Sequence, residues 1–123
     1  MTTTTLTGTP AVTAELFGAI RSGSEGVTVG TRSNNLPTDG FWVGGRSWTL
    51  VKSVDRITPD DVAAYVTAHA SAEFIGMWVE RGRVFLDVAD HVETAEAAHF
   101  IASARNEIAV FNIGSGQCER TRS

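Results

Sequence analysis

A chain of 123 residues is long enough for one hydrophobic core, and its 42% apolar and 20% charged residues are ordinary globular usage, which excludes a disordered or membrane-embedded class. The net charge of -4, with the basic residues scattered from Arg21 to Arg122, offers no basic stripe for a nucleic-acid backbone. The start, Met1 and Thr2 to Thr5, is neither basic nor apolar, so cytoplasmic residence without a membrane segment is expected, and a lone Cys118 excludes an internal disulfide.

Residues 1–9 read as a flexible N-terminus, residues 10–113 as one domain and residues 114–123 as a polar tail. Thr9-Pro10 sets an N-cap and first helical proline, and Val12, Leu16 and Ile20 recur at four-residue spacing until Gly23 stops the helix. Val27 and Val29 suggest a short strand, followed by a polar loop from Arg32 to Gly40. Phe41 to Val43 and Arg46 to Val54 read as two strands of a hairpin turning at Gly44-Gly45. Thr58, Pro59, Asp60 and Asp61 mark a second helix, with Ile57 placed to staple onto Val62.

Phe74 to Glu80 and Arg83 to Ala89 alternate around Arg81-Gly82 as a second hairpin. A two-residue turn there pairs Glu80 with Arg83, Trp78 with Phe85, Met77 with Leu86 and Ile75 with Val88, which sorts the aliphatic residues onto one face. Thr94 caps a third, alanine-rich helix to Asn106, and Ile108 to Ile113 forms the last strand.

Residues 55–58 can be laid over 90–94, a repeat of about 35 residues in which a strand leads through a capped helix to another strand. Tyr65-Val66 then falls on Phe100-Ile101. The order β-α-β-β-α-β predicts an α+β, ferredoxin-like sheet with an N-terminal helix and a hairpin as extensions. Right-handed crossovers put both helices on the aliphatic face. The other face presents Phe74, Trp78 and Phe85, with Trp48 at the neighbouring strand, and so large an apolar patch calls for a cover. The first helix, through Leu16, Phe17 and Ile20, is one candidate; self-association as a homodimer or a partner protein is the other.

Gly40-Phe41-Trp42-Val43-Gly44-Gly45, Phe85-Leu86-Asp87-Val88 and the stretch from Ala104 to Ile113 resemble small uncharacterised accessory proteins of actinobacteria and their phages. The resemblance covers about a fifth of the chain and implies a phage-type or actinobacterial accessory role, with no activity to carry over.

The residues themselves offer little chemistry. Asp87, Asp90, His91, Glu93, Glu96 and His99 are the best metal candidates, but no spacing matches a metal site, and neither a metal nor a cofactor is expected. No Ser sits in a nucleophile elbow, and His69 reads as a hydrogen-bonded core histidine. Arg81 to Val88 partly follows the RNA-binding strand pattern, departing from it at Arg83, Val84 and Val88. The expectation is therefore a non-catalytic protein that binds another protein through Trp78, Phe85, Phe74, Trp48 and Trp42. Single-stranded nucleic-acid binding through the aromatic face is the alternative, and a small metal-dependent enzyme centred on Asp87 and His91 is third.

Overall fold

The computed structural model describes residues 9–32, 36–107 and 109–121; the expected flexible start lies almost wholly outside them, as does Ile108. Among the described residues three helices and seven strands follow one another as α1 (Thr9–Arg21), β1 (Gly26–Gly30), β2 (Phe41–Val43), β3 (Leu50–Ser53), α2 (Pro59–Ala68), β4 (Phe74–Glu80), β5 (Arg83–Val92), α3 (Ala95–Ala104), β6 (Ala109–Asn112) and β7 (Gln117–Arg120). The chain is α+β, and every strand pair among the described residues is antiparallel.

The β4–β5 hairpin forms in the register that the alternation dictates, from Glu80 opposite Arg83 through Trp78 opposite Phe85 to Ile75 opposite Val88. Arg81 and Gly82 both take positive φ, 54° and 75°, as a two-residue turn between right-twisted strands requires. Thr58 makes a full capping box with Asp61, each side chain bonded to the other's main-chain amide, and Thr94 caps α3 through the Ala97 amide.

The first hairpin does not form. β2 and β3 do not pair with each other; each pairs with β5, β2 against residues 90–92 and β3 against residues 83–86. The ten-residue β5 has room for two short strands end to end, and this placement puts Phe41 and Val43 over one core and Leu50 over another. Gly45 has the positive φ of 86° expected of a turn, but the turn carries the chain through 44–49 and onward along the same neighbour.

The strand order is β1-β4-β5-β2-β6-β7 with β3 also on β5, so the last core strand lies beside β2 and not beside the 50–53 strand, and the expected ferredoxin-like order is not reproduced. The polar tail carries a strand of its own, β7, paired with β6. Both repeat copies keep their order of strand, capped helix and strand. They differ in packing, since Tyr65 is buried where Phe100 is 75% exposed.

Along β5, Val84 and Leu86 pack into a core with Val12, Leu16, Ile20, Val62, Tyr65, Val66, Ile75 and Met77, while Val92 packs with Phe41, Val43, Ala98, Ala102 and Val110. These β5 residues share one parity, so all three helices lie on one side of the sheet. That corrects the idea that α1 covers the aromatic face: its apolar stripe packs against α2 and the aliphatic face. No helix among the described residues is long and apolar enough to cross a membrane.

Candidate functional site

The side of the sheet away from the helices is paved by alternate residues of β4 and β5 and their neighbours. Trp78 and Phe85 stack nearly parallel, with centroids 4.0 Å apart and planes at 7°. Trp78 is 40% exposed, and Val51, opposite Phe85 on β3, is 41% exposed, so the pair heads an apolar patch open to solvent. Farther along the same face, Trp42 meets Phe74 edge-on at 4.8 Å and His91 at 5.7 Å. Phe74 is buried there, beside a cleft of about 470 Å³ lined by Leu36, Pro37, Arg46, Glu73, Asp90 and His91 among others.

Of the five aromatics singled out in the sequence, Trp78 and Phe85 share the exposed patch, and Trp42 and Phe74 form a second, more enclosed pair. Trp48 does not join them. Its ring lies on the helix side against Tyr65 (4.7 Å) and His69 (4.9 Å), and its carbonyl accepts a hydrogen bond from the Tyr65 hydroxyl. The broken β2–β3 edge explains the difference: Trp48 belongs to the 44–49 crossing and not to a strand with alternating faces.

That crossing also meets a cluster of charges. Arg46 and Arg105 both hold the Asp90 carboxylate, and Arg105 further donates to the Gly44 carbonyl at 3.1 Å. Burial disfavours ionised Asp90, but hydrogen bonds from the two guanidinium groups outweigh it and hold the carboxyl below its ordinary value. Among the described residues no guanidinium donates to Asp87. It sits between Gly76 and Gly44, where a Cβ on Gly44 would collide with its carboxylate and one on Gly76 would lie 3.2 Å from it. The Glu107 carboxylate borders the same small space. Burial, reinforced by the Glu107 charge, raises Asp87 to about 7. Burial and then the Asp87 charge likewise push the Tyr65 phenol up to about 12.

The acidic and histidine residues read as metal candidates are dispersed. Asp90 is taken by arginines, His91 bonds the Asp39 carbonyl, and His99 pairs with Glu119. Asp87 and His91 share a sheet face but stand four residues apart, about 13 Å along the strand, too far to share one ion. Among the described residues no group of three or more His, Cys, Asp or Glu could hold a metal.

Two features were not foreseen from the sequence. One is the half-buried Asp87, for which the flanking Gly44 and Gly76 come from the 44–49 crossing and from β4 and gave no linear signal. The other is Ser47, whose hydroxyl meets His69 Nε2 at 3.0 Å while His69 Nδ1 bonds the Tyr65 carbonyl at 2.9 Å. His69 is buried and hydrogen-bonded as expected, yet its second partner is 22 residues away in sequence. Comparison with family models, curated proteins and solved structures returned no match.

Proposed function

We propose that this chain is an accessory protein of the phage or actinobacterial type that works by binding another protein through its open sheet face. The observation that carries the reading is the stacked Trp78–Phe85 pair with Val51 beside it, left uncovered because α1 packs on the opposite side. Exposed aromatics that are rigidly pre-stacked lose little side-chain freedom on docking, which suits them as interface anchors. The binding itself requires no catalysis, and a cytoplasmic setting is part of the proposal; a second copy of the chain is the alternative occupant of the same face. We read the sheet as a ferredoxin-like arrangement whose first strand is broken into β2 and β3 by the 44–49 crossing.

A second reading, single-stranded nucleic-acid binding, draws on the same stacked pair as a base platform. The net charge of -4 and the Asp87 carboxyl on that face weigh against it. Affinity capture with the wild type and Trp78→Ala, beside oligonucleotide titrations at two salt concentrations, separates the two. The proposal expects a protein partner lost in Trp78→Ala and negligible oligonucleotide binding. Salt-sensitive binding of short single strands, lost in Phe85→Ala with the fold intact, would refute it.

A further inference from the structure

We propose that Ser47 is a nucleophile activated by His69, making a second site, separate from the aromatic face, that takes acyl groups from small carboxylic esters.

The proton inventory supports this. A main-chain carbonyl can only accept, so His69 must carry its proton on Nδ1 to satisfy the 2.9 Å contact with the Tyr65 carbonyl. Nε2 is then bare and faces the Ser47 hydroxyl at 3.0 Å, so the hydroxyl donates to it. This is the pairing in which a serine proton has a base already in place and a third group fixes the tautomer of that base.

The surroundings hold the base in place. His69 is the C-cap of α2, its main-chain amide bonded to the last turn of the helix. Its ring is stacked on Tyr65 at 4.1 Å and flanked by Trp48, and it is only 8% exposed, so it does not swing away from Ser47. Ser47 itself is half-buried. The 56% exposed Trp48 ring offers an apolar surface to an alkyl or aryl group of the ester.

The reaction balances with water as the only co-reactant. Ser47 Oγ bonds to the ester carbonyl carbon as its proton passes to Nε2. The carbon–oxygen bond to the leaving alcohol then breaks, and that oxygen takes the proton from Nε2. Water attacks the acyl-serine in the same way, its proton passing through Nε2 back to Ser47 Oγ as the carboxylic acid leaves.

The test is to treat the full chain with an alkyl fluorophosphonate and measure the intact mass and the modified peptide. One adduct on Ser47 with loss of fluoride is expected, none in Ser47→Ala, and labelling slower by about a hundredfold in His69→Gln with circular dichroism unchanged. Release of p-nitrophenol from p-nitrophenyl butyrate beyond one equivalent per chain, lost in Ser47→Ala, is expected alongside. The wild type decides the matter even if His69→Gln does not fold. Absence of an adduct, an adduct on another residue, no ester turnover, or wild-type labelling in a folded His69→Gln would each overturn the proposal. None of these outcomes depends on the partner-binding reading.

Discussion

Replacing Asp87 by Asn should change how the stability of this protein responds to pH. Burial and the neighbouring Glu107 raise the Asp87 carboxyl from 3.8 to about 7. At about 1.4 kcal/mol per unit, ionising it in the folded state costs up to about 4 kcal/mol relative to the unfolded chain. A folded value above the unfolded one means that, between about pH 4 and 7, the folded protein holds more proton than the unfolded, so stability falls as pH rises through that window. Asp61, Asp90 and Glu119 are shifted the other way, and their contributions are lost only as pH falls below the ordinary carboxylate range. Urea unfolding followed by tryptophan fluorescence at about pH 5 and about pH 8 isolates Asp87 from these three. The wild type is expected to lose about 2 to 3 kcal/mol between the two, and Asp87→Asn to lose much less and to exceed the wild type at the higher pH. Parallel pH profiles for the two proteins, or a wild type that gains stability over the range, would refute the reasoning.

Gly44→Ala drives a Cβ into the Asp87 carboxylate, so it should lower the urea midpoint by the equivalent of about 1 to 3 kcal/mol. Thr58→Ala removes the hydroxyl that accepts from the Asp61 amide and should cost about 1 kcal/mol in the same measurement, while the residue-58 amide can still donate to the Asp61 carboxylate. Leu16→Ala opens the core where α1 meets α2 and should cost about 2 to 5 kcal/mol, far more than expected had α1 merely capped an exposed aromatic patch.

The legible parts of this fold were those set by local chemistry. Thr58 and Thr94 announce their helices because a cap acts within three residues, and Arg81-Gly82 fixes the β4–β5 register because a two-residue turn leaves no freedom in pairing. Gly44-Gly45 misled because glycine licenses a positive φ without dictating where the chain goes next, and the destination of β3 depended on the unused edge of β5. Trp78 and Phe85 could be placed on one face from alternation alone. Trp48 could not, because alternation assigns faces only within a strand, and residue 48 lies in the crossing between two. Ser47 with His69, and Asp87 between two glycines, are juxtapositions across 22 residues or across strands, which no spacing rule reaches.

The two apolar clusters touch different halves of β5, and that division has a consequence for cooperativity. The larger is built from long side chains of α1, α2, β1, β4 and the first half of β5. The smaller relies on two alanines of α3 and a few residues of β2 and β6, so it has less apolar contact to lose when it opens. β5 therefore acts as a spine that the second cluster leans on, while the first can stand without it. Amides of α3, β6 and β7 should exchange with solvent deuterium together and ahead of those of β4, and destabilising the larger cluster with Leu16→Ala should speed both sets, whereas Ala102→Gly should speed only the first.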